Sequence, residues 1–262
     1  MAWTQRYQAY TGFAAPGLCS VDAVRNAPLI KSYYSGFQSV ETSGAQYNGV
    51  NATFTAPVVN SGVAHCDNPG ANVSSWTGLQ GPGDGRLIQD GVEAGQDRSG
   101  NSEFAWFEFF GTQGHNSETK MNLSIHQGDQ IESGVEWHAS QNNAQFTIYD
   151  VTTGQVDSAV LNNDYDFYNG AQGQFITERN MVNGTIEPLM YFNEQAWSQA
   201  RLSVGPNYSY QDFGTRSPTA IEMHQGGNAQ GNLLAMPPQD QLDSNSNNSS
   251  KVDQVSCGNP GY

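Results

Sequence analysis

Apolar and polar residues alternate over short stretches along most of the chain, and Gly, Asn, Ser and Thr separate these stretches about every eight to twelve residues. Such alternation places apolar side chains on one face of a strand and polar side chains on the other. Stretches with the period of an amphipathic helix are almost absent. The pattern therefore predicts an all-β protein made of short antiparallel strands.

Six stretches are predicted to be strands, namely residues 51–59, 104–110, 145–149, 156–161, 174–178 and 187–192. Residues 152–155, Thr-Thr-Gly-Gln, predict a hairpin turn between two of them. Residues 104–110 are aromatic on both faces, which indicates a central strand that is covered on each side. Residues 87–89 predict a further short strand that ends at Asp90-Gly91.

The chain of 262 residues fits one large β domain. Residues 1–30 lack clear alternation, so we expect an N-terminal extension or the remnant of a pro-segment there. Residues 31–262 are then a single domain. Within it, the polar stretch 240–250 predicts a surface loop, and residues 251–257 predict a short closing strand.

The charge of the chain is strongly negative, with 25 Asp and Glu residues against 10 Lys and Arg and a net charge of −15. Such a field repels phosphate groups, so we expect no nucleic-acid partner and no membrane partner. The composition also suits an acidic medium, where protonated carboxyl groups reduce the self-repulsion of the folded chain.

Export is expected although residues 1–10 contain no apolar core of a signal peptide. We expect that a leader has been removed and that the protein is secreted. Seven Asn-x-Ser/Thr acceptors permit glycosylation, at Asn51, Asn72, Asn122, Asn183, Asn207, Asn247 and Asn248. The three cysteines, Cys19, Cys66 and Cys257, allow at most one internal disulfide and leave one thiol over.

Several kinds of catalytic site are excluded by missing motifs. The chain has no Gly-x-Ser-x-Gly sequence, no Asp-Thr/Ser-Gly pair of the pepsin type and no His-Glu-x-x-His sequence. No two of its five histidines have tight metal-ligand spacing. We therefore predict a site without metal or cofactor, which leaves carboxylates as the reactive groups.

Two predicted strands carry acids beside apolar and amide side chains. Phe104, Trp106, Glu108 and Phe110 share one face of their strand, so Glu108 is predicted to lie in an apolar environment that disfavours its charged form. Gln174, Ile176 and Glu178 share a face of theirs. A carboxylate with an amide partner can act as a general base on a bound water.

Six short motifs along the chain carry a resemblance to a known family. They are Trp76-Thr-Gly-Leu-Gln-Gly81, Leu87-Ile-Gln-Asp-Gly91, Ala105-Trp-Phe-Glu-Phe-Phe110, Gly128-Asp-Gln-Ile131, Thr152-Thr-Gly-Gln155 and Gly173-Gln-Phe-Ile-Thr-Glu178. In this order and spacing the chain resembles the glutamic peptidases, or eqolisins, which are acid endopeptidases. The resemblance covers residues from about 33 to about 234.

The resemblance implies a sandwich of two curved antiparallel sheets of roughly seven strands each, with a polypeptide substrate across a concave face. It implies that Gln89 and Glu178 are the catalytic pair and that the protein is a monomer without a cofactor. In the mechanism that the resemblance implies, Glu178 takes a proton from the attacking water, while the amide of Gln89 positions that water and donates to the developing oxyanion. The residues expected to bind substrate are Trp76, Gln80, Trp106, Glu108 and Gln174.

This chain departs from the family pattern at three positions. Gln80 and Phe104 stand where the family keeps an Asp, and Gln174 replaces a common Glu. The loss of the two acids at Gln80 and Phe104 is expected to shift the working pH upward, alter the side-chain preference or mark a homologue that has lost activity.

Two alternative functions remain open from the sequence. A glycan-binding module or glycosidase on a similar sandwich would use Glu108 and Glu178 as two acids about 5–10 Å apart, with no Gln89 between them. A non-catalytic member of the family would bind a partner without cleaving it.

Overall fold

The computed structural model describes residues 29–59, 70–81, 86–97, 100–110, 118–162, 170–182, 185–205, 207–216, 218–225, 231–237 and 250–254. The named regular elements in these ranges are strands and a 3-10 turn at Phe213–Arg216. The all-β prediction is thus confirmed. All three cysteines and nearly all of the predicted extension lie outside the described residues, so the domain boundary at residue 30 stays a prediction.

The strands are β1 (Leu29–Ser32), β2 (Tyr34–Val40), β3 (Tyr47–Thr55), β4 (Asn72–Gln80), β5 (Leu87–Asp97), β6 (Gly100–Phe110), β7 (Thr119–Lys120), β8 (Gln130–His138), β9 (Asn143–Asp150), β10 (Gln155–Asn162), β11 (Gln172–Glu178), β12 (Met181–Val182), β13 (Thr185–Ile186), β14 (Gln195–Val204), β15 (Ser209–Asp212), β16 (Thr219–His224), β17 (Leu233–Met236) and β18 (Ser250–Gln254). The predicted hairpin turn is confirmed between β9 and β10, which pair antiparallel. Its Gly154 has φ +74°, a backbone conformation that favours glycine.

The strands form two layers that are joined at one edge. One layer contains β10-β9-β8-β3-β14 and the other contains β16-β2-β11-β4-β5-β6-β7. Strand β18 pairs with β14 through its first residues and with β17 through its last ones, so it passes from one layer to the other. This arrangement confirms the β-sandwich, with hydrogen bonding that continues from layer to layer.

The main core lies between the two layers. Its largest fully buried side chains include Tyr47, Phe54, Phe146, Phe175 and Trp197. Along β8 the buried and more accessible positions alternate strictly, because one face meets this core and the other does not.

A second apolar cluster covers the opposite face of the β2-β11-β4-β5-β6 sheet. It consists of Trp76, Trp106, Ile176 and Ile221, which are all buried. Phe107 and Phe109 on β6 belong to the main core instead. Strand β6 is therefore covered on both faces, as its aromatic pattern predicts.

The prediction that a strand ends at Asp90-Gly91 is wrong, because β5 continues to Asp97. Gly91 pairs with Trp76 on one side and with Trp106 on the other. A Cβ atom at Gly91 would lie 2.3 Å from the carbonyl oxygen of Ser75 and 2.6 Å from the Cβ of Trp76. Glycine is needed there for close approach between strands, not for a turn.

Two other predicted strands differ from the structure. Residues 187–192 form no named strand; Leu189 and Phe192 each make only an isolated bridge. Pro188 in this stretch lacks the N–H that a ladder requires. The strand predicted at residues 51–59 begins earlier and ends earlier, as β3. Residues 251–254 of the predicted closing strand are confirmed within β18, whereas residues 255–257 and residues 240–249 of the predicted loop lie outside the described part of the chain.

Candidate active site

One row of the sheet brings together three of the residues that the sequence singles out. Gln174 on β11 pairs with Gly78 on β4, Gly78 pairs with Gln89 on β5, and Gln89 pairs with Glu108 on β6. Directly opposite residues of an antiparallel sheet share a face, so these side chains project from one surface. The surface is the one that carries Trp76 and Trp106.

Gly78 keeps this row open. A Cβ atom at Gly78 would lie 2.9 Å from the ring of Trp76 and 3.2 Å from the Cβ of Gln89. Because that space is occupied by its neighbours, a larger residue would push against the indole or displace Gln89.

Gln89 is held by Glu108. Its Nε2 donates a hydrogen bond of 2.7 Å to Oε2 of Glu108, and both side chains are buried. Burial raises the pKa of Glu108, and the hydrogen bond from Gln89 lowers it in part. The Oε1 of Gln89 is also buried but has no hydrogen-bond partner. An acceptor left in this state is free to receive a hydrogen bond from a water or a substrate N–H.

Glu178 lies on the same face at the end of β11, opposite Ser74 of β4. Its side chain is partly exposed. Burial raises the pKa of Glu178 to about 8, and the charges of Glu108 and Glu93 add to the rise. A side-chain hydrogen bond from the Trp76 indole lowers that pKa in part. These electrostatic effects require that the four groups lie in one neighbourhood.

The structure adds two acids that the sequence did not single out. Asn180 donates hydrogen bonds through Nδ2 to Glu93 and to Glu118, the latter at 3.0 Å. Burial and the charge of Glu93 raise the pKa of Glu118, and burial raises the pKa of Glu93. Glu93 pairs with Ser74, which also pairs with Glu178. This acid pair is therefore next to the predicted general base.

Sequence reasoning missed these acids for identifiable reasons. Glu93 follows Asp90-Gly91, where the strand was expected to end. Glu118 precedes the two-residue strand β7, which has no detectable alternation. The sequence would have predicted Glu93 as a site residue if the strand had been extended past Gly91, because Gln89, Gly91 and Glu93 then share a face.

The two tryptophans form the floor of the site. The exposed fraction of Trp76 is 1% and that of Trp106 is 0%. Trp106 donates through Nε1 to Oγ of Ser74 at 3.0 Å, whereas Nε1 of Trp76 is buried beside Glu178. They lie beneath the polar residues, and a side-chain hydrogen bond from the Trp76 indole lowers the pKa of Glu178 in part.

Phe104, which the motif comparison aligns with an acid of the family, lies under the side chain of Lys120. The Nζ of Lys120 lies 3.8 Å from the centre of the Phe104 ring, within the range of a cation–π contact. The charge of Lys120 lowers the pKa of Glu93 in part. A cation thus stands beside this end of the acid group.

Asp90 follows Gln89 but points to the other side of the sheet. It is fully buried between the layers, where it accepts hydrogen bonds from Thr77, Ser133 and the backbone N–H of Thr147. Burial raises the pKa of Asp90 to about 7, and these hydrogen bonds lower it in part. Its contacts join the two layers directly beneath the row that carries Gln89.

The described part of the chain contains no group of three or more His, Cys, Asp or Glu side chains arranged to hold a metal ion. Within the same ranges, no helix has the length and apolar character needed to cross a membrane.

Comparison with known proteins agrees with this architecture. The profile of the Peptidase A4 family matches residues 32–236. A search of curated proteins found no match.

Three solved structures share the fold. Scytalido-glutamic peptidase with a transition state analog inhibitor has a TM-score of 0.65 at 17% identity, covering 86% of this chain and 100% of that chain. SCP-B, a member of the eqolisin family in a complex with the tripeptide Ala-Ile-His, has a TM-score of 0.62 at 17% identity and the same coverage. Aspergilloglutamic peptidase from Aspergillus niger has a TM-score of 0.57 at 20% identity, covering 71% of this chain and 99% of that chain.

The family match covers most of the chain, and the resemblance read from the six motifs is confirmed. The chain therefore belongs to the Peptidase A4 family, the eqolisins, and is a peptidase of the glutamic type.

Proposed function

We propose that the protein is an acid-acting endopeptidase in which Gln89 and Glu178 carry the reaction. The observation that supports this most directly is the state of Gln89. Its amide is held by Glu108 at 2.7 Å, while its buried Oε1 has no partner in the folded chain. The hydrogen bond through Nε2 fixes the orientation of the amide, and Oε1 remains able to accept a hydrogen bond. Such an amide can bind a water next to a substrate carbonyl.

The reaction begins with a water between Gln89 and Glu178. Ionised Glu178 takes a proton from the water as its oxygen attacks the scissile carbonyl carbon. The second N–H of the Gln89 amide, which Glu108 does not use, donates to the oxyanion that develops. Protonated Glu178 then returns the proton to the leaving amine, and the peptide bond breaks.

The raised pKa of Glu178 makes it a stronger base than an ordinary carboxylate. For the attack, Glu178 has to be ionised, whereas the neighbouring carboxyl groups of Glu93, Glu108 and Glu118 can stay protonated. Burial is the larger cause of the raised pKa of Glu178 and acts even when no neighbouring acid is charged, so the ionised fraction of Glu178 is small in acid solution and increases toward pH 8. We expect activity to begin in acid solution and to extend closer to neutral pH than the reference carboxylate pKa of about 4.3 implies.

The glycosidase alternative requires two acids with no Gln89 between them. The strand order is β11-β4-β5-β6, so the strand with Gln89 lies between those that carry Glu178 and Glu108. Glu108 is, moreover, hydrogen-bonded to Gln89. This arrangement favours peptide hydrolysis over a carboxylate pair acting on a glycosidic bond.

Secretion and a monomeric state are part of the same proposal. Among the described acceptors for glycosylation, Asn122 and Asn207 are exposed, whereas Asn72 is buried within β4. Glycan on Asn122 or Asn207 of the protein purified from its natural source would support export. Pepstatin is not expected to inhibit, because the chain lacks the Asp-Thr/Ser-Gly pair of pepsin-like enzymes.

The test is digestion of a denatured protein between pH 2 and 8 in the presence of pepstatin. Wild type is compared with Glu178→Gln and with Glu132→Gln, a matched change at an exposed residue of the other layer. We expect cleavage to be lost in the first variant and retained in the second. Cleavage that persists unchanged in Glu178→Gln contradicts the proposed base. A wild type that cleaves nothing over the whole pH range supports the non-catalytic alternative.

A further inference from the structure

Four glutamine side chains meet at the end of the site away from Glu178. We call Gln38, Gln80, Gln172 and Gln174 the amide cluster. They lie on β2, β4 and β11, where Gln174 pairs with Gln38 and Gln172 pairs with Gln80. Gln174 also pairs with Gly78 of the row that leads to Gln89. The cluster thus projects from the same face as the proposed catalytic pair.

One NH2 group holds the cluster together. Nε2 of Gln174 lies 3.0 Å from Oε1 of Gln80, 3.3 Å from Oε1 of Gln172 and 3.5 Å from Oε1 of Gln38. An amide NH2 has two hydrogens, so three carbonyl oxygens share them. Gln174 is 1% exposed and forms the centre, whereas Gln80 and Gln172 are partly exposed.

The orientation of the outer amides follows from these contacts. Gln80 and Gln172 turn their oxygens inward to Gln174, so their NH2 groups are directed away from it. This part of the cleft therefore offers hydrogen-bond donors and no carboxylate. It suits a substrate side chain with a neutral acceptor, such as the amide of Gln or Asn.

Charged side chains fit this place less well. A Lys or Arg side chain has donors only and would meet the NH2 groups of Gln80 and Gln172, because the oxygens of these two amides are directed toward Gln174. An ionised Asp or Glu side chain would enter a face that carries Glu93, Glu108 and Glu178. The pKa values of these three carboxyl groups are raised, so their like charges disfavour that approach increasingly as the pH rises.

The position of the cluster relative to the scissile bond follows from the sheet. Gln174 and Gln89 are two strands apart, which is about 9.6 Å at the usual strand spacing. Glu178 is four positions from Gln174 along β11, which is about 13 Å, so a scissile bond midway between Gln89 and Glu178 lies about 8 Å from Gln174. An extended substrate rises about 3.3 Å per residue, so about two to three residues cover that distance. We propose that the amide cluster is a specificity subsite that selects Gln or Asn about two to three residues from the bond that is cleaved.

The role of this cluster depends on the proposed peptidase function, so its test has two arms. In the first, wild type cleaves a set of peptides that differ at single positions and carry Gln, Asn, Ala, Asp or Lys there. Mass spectrometry gives relative kcat/KM values. One hydrogen bond is expected to favour Gln or Asn over Ala by about two- to tenfold at one position.

Variants of Gln174 separate the amide chemistry from simple packing. Gln174→Glu removes the central NH2 and adds a carboxylate, so the preference at that position is expected to move to Lys. Gln174→Met has a similar length without donors, and it is expected to lose the Gln preference without gaining one for Lys. Gln80→Glu tests the same change at a partly exposed residue if Gln174→Glu does not fold.

The second arm measures binding without catalysis. Fluorescence anisotropy of the same labelled peptides with Glu178→Gln protein ranks affinities whether or not the chain cleaves. A ranking with Gln or Asn first supports the subsite even if the catalytic proposal fails. Equal affinity for all peptides, or a Lys preference that is the same in wild type and in the Glu variants, overturns it.

Discussion

Gln89 and Glu108 are opposite each other on β5 and β6, and the amide of Gln89 donates to the carboxyl of Glu108 over 2.7 Å. An amide held at one end has fewer orientations to choose from when a substrate arrives. Glu108 therefore acts as a positioning residue in the proposed mechanism. Its raised pKa follows from the same burial that makes the contact rigid.

Replacing Glu108 tests this relationship. Glu108→Ala is expected to lower kcat by about ten- to a hundredfold, because a hydrogen bond to a charged group is worth about 1.5–3 kcal/mol. Glu108→Gln keeps a partner for the amide and is expected to recover part of the loss. Steady-state kinetics on one peptide give kcat and KM separately. A change confined to KM would place Glu108 in substrate binding instead.

Removing the amide itself has a larger expected effect. Gln89→Ala takes away the proposed oxyanion donor, so kcat is expected to fall on the order of 10²-fold or more. Single-turnover measurement of peptide cleavage checks this value. A loss below about tenfold would reduce Gln89 to a positioning role, provided that the thermal unfolding midpoint is unchanged.

The stability of the fold is expected to decrease from acid to neutral pH. The pKa of Asp90 is about 7 in the folded protein against an ordinary value of 3.8. Over this window the folded chain keeps a proton that the unfolded chain releases, so the free energy of unfolding falls as pH rises. One such group contributes a slope of up to about 1.4 kcal/mol per pH unit. The raised pKa of Glu178 acts in the same direction.

Urea unfolding of wild type and Asp90→Asn at pH 4, 5.5 and 7 measures this slope. The variant is expected to be less stable at pH 4, because an amide NH2 cannot accept the Thr147 N–H as well as its other contacts. Its stability is nevertheless expected to change less with pH. Equal slopes for both proteins would assign the pH dependence to other groups.

Gly91 is expected to tolerate no side chain. Its Cβ would lie 2.3 Å from the Ser75 carbonyl oxygen, so Gly91→Ala must separate β4 from β5 or disturb Trp76. We expect a loss of about 3 kcal/mol or more in the free energy of unfolding, at the upper end for overpacking. Gly95→Ala, on the same strand with nearest contacts of 3.2 Å, is the control with a smaller expected loss. Similar losses in both variants would refute the close-approach explanation.

Local patterns in the sequence predict much of the fold. The alternation of residues 145–149 and 156–161 with a Thr-Thr-Gly-Gln turn is enough to find the β9–β10 hairpin, because a hairpin is formed by neighbours in the chain. The same reasoning fails at Gly91. There the requirement for glycine comes from Ser75 and Trp76, which no local pattern identifies as its neighbours.

In the candidate site, too, some features follow from local motifs and others depend on residues that are distant in the chain. The order of the six motifs was sufficient to predict the family and to nominate Gln89 and Glu178, whose roles stay predictions. The amide cluster and the pair Glu93 and Glu118 are not visible as motifs, because each joins residues that are distant in the chain. Glu93 and Glu118 are 25 positions apart, and Gln38 and Gln174 are separated by 136.

The sequence by itself determined the all-β class, the strands with clear alternation and the family. Only the tertiary structure decided that Glu93 and Glu118 lie near Glu178 and that the buried Oε1 of Gln89 has no partner. It also decided that Gly91 lies between Trp76 and Trp106. The physical reason is that alternation and turn chemistry act between neighbours in the chain. Burial, like-charge repulsion and cross-strand hydrogen bonds depend on register between strands, which is settled only when the sheets pack.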